Sequence, residues 1–159
     1  MHKEFEQVIL NNQGRIRYIA SRYCHEGELE DMYQEIMLQL WRSFSSFKGN
    51  SSRETWVYKV ALNTACTYVS KTIKHRDIKH SMSKNQFSEN QPAQDNCQAE
   101  ILNSFMNHLS DTDASILMMY LDGLSSEACA DVVGISANAV RVRIKRIKDE
   151  FEKQYIGEE

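Results

Sequence analysis

Apolar residues at Leu29, Met32, Tyr33, Ile36, Met37, Leu40, Trp41 and Phe44 follow i, i+3, i+4, i+7 spacing without a miss, which lays one stripe along an α-helix. Residues 3–23 predict an earlier helix with Phe5, Val8, Ile9, Ile16 and Ile19 inward. A break follows at Ser45–Ser52, ending in a capping box of Ser51 and Glu54. Trp56, Val57, Val60, Ala61, Thr64, Ala65, Tyr68, Val69 and Ile73 then predict a long third helix to about residue 79. Periodicity returns at Ile101, Leu102, Phe105 and Leu109. A second capping box, Ser110 to Asp113, opens a helix carrying Ile116, Leu117, Tyr120 and Leu121, which Gly123 stops. A short helix at Ser126–Val133 meets a turn at Gly134. The last helix opens at Ser136, with Val140, Ile144, Ile147 and Phe151 on its inner face.

β-Branched alternation is almost absent, and six Gly and one Pro leave few breaks, so the chain reads as all-α. Residues 81–98, SMSKNQFSENQPAQDNCQ, hold three Ser, three Asn, four Gln and the only Pro. Such a stretch has little apolar surface to bury and reads as a flexible linker. The expected organisation is two small helical domains, 1–80 and 99–159, joined by that linker, with a helix-turn-helix in the second.

Charge changes the picture. The net charge of −3 conceals a segregation by segment. Residues 51–80 carry six Lys/Arg against two acids (+4), 81–113 one Lys against five acids (−4), and 136–148 five cations and no acid (+5). Two basic islands on an acidic background suit two DNA-contacting surfaces and weak binding by the chain alone. The final helix carries Arg141, Arg143, Lys145, Arg146 and Lys148; a solvated basic face is the alternative, but such a face normally mixes signs. Ser136 as N-cap leaves backbone amides near a phosphate, and Asn138, Ala139 and Val142 fall near the groove-facing end. The loop Phe47-Lys48-Gly49-Asn50-Ser51-Ser52-Arg53, with Lys59 and Asn63 on the next helix, combines aromatic, amide and cationic groups that suit an unpaired strand. On these residues alone an ordinary loop with Phe47 and Trp56 in the core is the favoured reading. Glu28, Glu30, Asp31, Gln34 and Glu35 form an acidic face suited to a basic partner.

Other chemistries find little footing. No nucleophile or histidine completes a catalytic set with those carboxylates, so an enzyme is not expected. Cys24-His25 and His75…His80 lack ligand-like spacing, and neither metal nor cofactor is expected. The four cysteines form no C-x-x-C pair, and Cys66 and Cys129 read as buried free thiols. The N-terminus MHKEFEQVIL has no signal-peptide core, and no run is long enough to span a bilayer; a reduced cytoplasmic setting is expected.

With these residues in view, the chain resembles the extracytoplasmic-function sigma factors, small two-domain promoter-specificity subunits of bacterial RNA polymerase. Three segments carry the likeness in the family order. Glu30-Asp31-Met32-Tyr33-Gln34-Glu35-Ile36 through Leu40-Trp41-Arg42 looks like the helix that docks on the polymerase clamp. Thr55-Trp56-Val57-Tyr58-Lys59-Val60-Ala61-Leu62-Asn63 resembles the helix that captures and opens the minus-ten element. Leu109–Lys148 is similar to the domain that reads the minus-thirty-five element. The wording DMYQE and GISAN-x-VRV looks most like members from Bacteroidota.

The resemblance implies roles. Asp31, Gln34, Glu35 and Arg42 would contact core polymerase; Lys48, Asn50, Arg53, Trp56, Lys59 and Asn63 would hold the non-template strand of the minus-ten element. Ser136, Asn138, Arg141, Arg143, Lys145 and Arg146 would engage the minus-thirty-five element. The implied partners are core RNA polymerase, promoter DNA and an anti-sigma factor, with the free chain a monomer and not inserted in a membrane. Leu62, Thr67 and Ser70 stand where the family often has Arg, Asp and Arg, and Ala114 where it often has Arg. A helix-turn-helix regulator independent of polymerase is the alternative; it leaves the acidic helix and basic loop without a task.

Overall fold

The computed structural model describes residues 1–75 and 97–157. Among these residues there are seven helices and no strand: α1 (His2–Tyr23), α2 (Leu29–Phe44), α3 (Arg53–His75), α4 (Cys97–His108), α5 (Asp111–Leu121), α6 (Ser126–Val133) and α7 (Ala137–Tyr155). The chain divides into two compact units between α3 and α4. Most of the expected linker lies outside the described residues, as does the extension of the third helix past His75. Cys97 and Gln98, expected as linker, open α4 instead.

The first unit is three mutually packed helices. All five residues expected inward on α1 are buried, and Asn12 joins them at 2% exposure. That amide is tolerated because its Nδ2 donates to the Val8 carbonyl at 2.7 Å and its Oδ1 accepts from Arg15 at 2.8 Å. On α2 the stripe narrows: Met32, Ile36 and Leu40 are fully buried, while Trp41 keeps 39% of its surface. Burying a Met, Ile or Leu side chain is worth about 1.5–3 kcal/mol, so these three residues set which face of α2 looks inward. On α3, Val57, Ala61 and Ala65 are buried as expected, joined by Tyr58 and Leu62. The cap of α3 is displaced by one residue from the expected Ser51–Glu54 box. Ser52 Oγ accepts from the Thr55 amide at 3.1 Å and pairs with the Thr55 hydroxyl at 2.9 Å.

In the second unit α5, α6 and α7 pack on one another. Phe105 of α4 meets Phe151 and Tyr155 of α7 edge-on, with ring centroids 5.1 and 6.1 Å apart. Ser110 caps α5 as expected, accepting from the Asp113 amide at 3.2 Å. The apolar face of α5 differs from expectation: Ala114, Ile116, Leu117 and Met119 are buried, whereas Tyr120 and Leu121 are 37% and 55% exposed. Between α6 and α7 the chain reverses through Gly134 in the left-handed region (φ +80°), whose amide donates to the Ala130 carbonyl at 2.8 Å. Glycine takes this backbone without the Cβ penalty, which is why so short a turn can join the two helices.

Candidate nucleic-acid interface

α7 is positioned by its caps and its inner face. Ser136 Oγ accepts from the Ala139 amide at 3.1 Å, and Ser125 does the same for α6 through Ala128. Val140, Ile144 and Ile147 are buried. At about 100° per residue, these three point one way, which places Asn138, Val142 and Lys145 along the opposite crest. All three are exposed. Arg141 lies on one flank and forms an ion pair with Glu127 of α6.

The remaining cations of α7 are held differently from the outward array the charge count suggests. Arg143 and Arg146 each donate at 2.7 Å to a separate oxygen of Asp113, whose side chain is 11% exposed. Asp113 sits in the first turn of α5, where its charge also complements the helix dipole. The pair is therefore a brace between α5 and α7. Lys148 lies 4.4 Å from the centroid of the Tyr120 ring. Tyr120, Ser126, Arg141, Ile144, Lys145 and Lys148 line a cleft of about 270 Å³. With three cations and two hydroxyl-bearing residues on its walls, this cleft suits a phosphate group.

In the first unit, the loop between α2 and α3 rests on aromatic rings. Trp56 packs against Phe47 (5.2 Å between centroids) and Phe44 (6.0 Å); Phe44 meets Phe5, and Phe5 meets Trp41, which stacks on His2 at 5.1 Å. Phe47 and Trp56 are thus half-buried members of a cluster bracing the loop. Arg53 is tied to Glu4 of α1 and lies 5.9 Å from the Phe44 and Phe47 rings. Lys48 and Asn50 of the loop and Lys59 and Asn63 of α3 are exposed. Leu62 is 6% exposed and belongs to the core; Thr67 and Ser70 are exposed, and Ser70 donates back to the Cys66 carbonyl at 3.0 Å.

On α2, Asp31, Gln34 and Arg42 are exposed and Glu35 is half-buried, accepting from Gln39 at 3.0 Å. Periodicity overlooks Leu38, which is 40% exposed and stands on this face near Trp41. Polar groups around two exposed apolar side chains form the usual anatomy of a protein-docking surface. Glu30 is occupied by Arg17 of α1 at 3.5 Å.

Among the described residues no group of His, Cys, Asp or Glu could hold a metal, and no helix is long and apolar enough to cross a membrane. Cys24, Cys66 and Cys129 form no disulfide. Burial pushes the thiols of Cys24 and Cys129 above the usual range. Cys129 is fully buried as expected, but Cys66 is exposed.

A basic second helix behind a glycine turn, on a unit separate from a three-helix bundle, defines a helix-turn-helix DNA-binding protein. Residues 8–74 match the family description "Sigma-70 region 2", and residues 99–150 match "Sigma-70, region 4". The chain belongs to the extracytoplasmic-function sigma factors of the sigma-70 family. Its curated relatives include the ECF RNA polymerase sigma-E factors of Haemophilus influenzae (24% identical, covering 96% of this chain and 87% of that one) and Escherichia coli strain K12 (25%, covering 96% and 86%). Similar solved folds include the sigma factor RpoE in complex with the anti-sigma factor NepR from Bartonella quintana, with a TM-score of 0.67 and 18% identity over 95% of this chain and 96% of that one. CnrH in complex with the cytosolic domain of CnrY is another, with a TM-score of 0.61 and 16% identity over 96% and 87%.

Proposed function

We propose that the protein binds core RNA polymerase and directs promoter-specific transcription initiation in the cytoplasm, with its two units reading the two promoter elements. The match to both sigma-70 regions in order carries this reading. Residues 1–80 act as the polymerase-binding and minus-ten unit, and residues 99–159 as the minus-thirty-five unit. Asp31, Gln34, Glu35 and Arg42 dock on the clamp, with Leu38 and Trp41 as apolar anchors. Lys48, Asn50, Lys59 and Asn63 track the non-template strand. Arg53 and Trp56 hold the loop in shape, supported by their contacts with Glu4, Phe44 and Phe47. Ser136, Asn138, Arg141 and Lys145 approach the major groove, and Arg143 and Arg146 aim the helix.

An anti-sigma factor covers these surfaces in the free protein, which is otherwise a monomer; support comes from the folds similar to this chain that were solved with such partners. The decisive experiment is transcription in vitro with purified chain and core polymerase on pooled genomic fragments. Discrete start sites that require the chain are expected. Absence of start sites together with failure to co-migrate with core would defeat the proposal. Arg141→Glu should weaken upstream-element recognition while leaving core binding intact.

A further inference from the structure

The crest of α7 carries an apolar side chain that no cap, core contact or ion pair explains. Val142 keeps 60% of its surface exposed, between Asn138 one turn before it and Lys145 one turn after. It lies nearly opposite the buried Val140, Ile144 and Ile147, on the outer crest of the first half of the helix. A β-branched residue there is no help to the helix, since it loses side-chain freedom and exposes hydrocarbon to water. The Asp113 brace to Arg143 and Arg146 restrains α7 from rotating about its axis. A partner that lies along the crest of α7 therefore meets Val142 together with Asn138 and Lys145.

Its surroundings select the occupant. A protein-docking patch would surround Val142 with further apolar surface, but its exposed neighbours on α7 are Asn138, Arg141, Lys145 and Arg146, and the one apolar neighbour is the small, partly buried Ala139. In the major groove those neighbours match acceptor edges and phosphates. The one apolar feature exposed there is the 5-methyl group of thymine. We infer that Val142 is a specificity-determining residue that packs on a thymine methyl within the upstream element, a step beyond the proposed function and resting on it. The adjacent Asn138 amide is then placed to address a neighbouring base edge.

The experiment uses the holoenzyme formed with core polymerase. A duplex pool randomised in the upstream region is selected for binding, and each thymine of the enriched element is replaced singly by deoxyuridine, which removes only the methyl. One position should lose about fourfold in affinity, the equivalent of ~0.8 kcal/mol for one buried methyl. In Val142→Ser holoenzyme the same replacement should change affinity by less than about 1.5-fold. The inference is overturned if no thymine methyl matters, or if its cost persists undiminished in Val142→Ser. It is also overturned if Val142→Ser spares DNA binding and instead weakens capture by a protein partner. Failure of the underlying reading looks different: selection enriches no upstream element, and Arg141→Glu is without effect.

Discussion

Replacing Asp113 by Asn keeps the size of the side chain and removes the charge that joins α5 to α7. Asp113 receives two charge-assisted hydrogen bonds of 2.7 Å on a carboxylate that is 11% exposed. Each such bond contributes about 1.5–3 kcal/mol in a protected setting. Both guanidinium groups are partly in water, with 36% and 56% of their side chains exposed, so they regain hydration when released. The expected loss is therefore that of about one protected bond, ~1.5–3 kcal/mol, rather than two. For a domain of this size each kcal/mol moves the midpoint by roughly 4–8 °C, so the second unit should melt at least about 6 °C lower. Trp41 and Trp56 are the only tryptophans and both lie in the first unit, which supplies an internal control. Helical circular dichroism should show the second unit melting earlier while the tryptophan fluorescence midpoint stays in place. Arg143→Gln and Arg146→Gln in double-mutant cycles should each couple to Asp113 by about 1 kcal/mol. Additive effects, or a shift below about 2 °C, would refute the brace.

Gly134→Ala meets no atom within 4 Å, so its cost is the left-handed backbone alone, about 1–2 kcal/mol; chemical denaturation measures it, and a loss near zero would mean the turn relaxes. Leu38→Ala should leave folding unchanged and, combined with Trp41→Ala, weaken core polymerase binding at least tenfold; unchanged affinity removes that face from the interface. Asp31→Lys with Glu35→Lys should abolish binding in a pull-down. Thiol labelling at pH 8, read by mass spectrometry, should modify the exposed Cys66 well before Cys129, whose buried thiol is pushed up and holds less thiolate; equal rates would contradict that burial.

Local order was legible in the sequence. The bounds of α2, the turn at Gly134 and the caps at Ser110 and Ser136 follow from spacing of apolar residues and from side chains that bond amides three residues on. The buried faces of α1 and α7 were readable because a helix bonds only to itself and its period is short. The choice of Ser52 over Ser51 as cap was less so, since adjacent serines differ only in which amide they reach. Periodicity placed Trp41, Tyr120 and Leu121 inward, yet it cannot tell how wide an apolar stripe the neighbouring helices will cover. Charge counting likewise identified five cations over residues 136–148 but not their employment. Arg143 and Arg146 meet a carboxylate 30 and 33 positions away, and Arg53 meets Glu4 49 positions away. Sequence by itself determined the helices, their caps and the segregation of charge, because those arise from interactions within a few residues. Only tertiary packing decided which cations brace the fold and which stay exposed, because each of those depends on what another helix brings within reach.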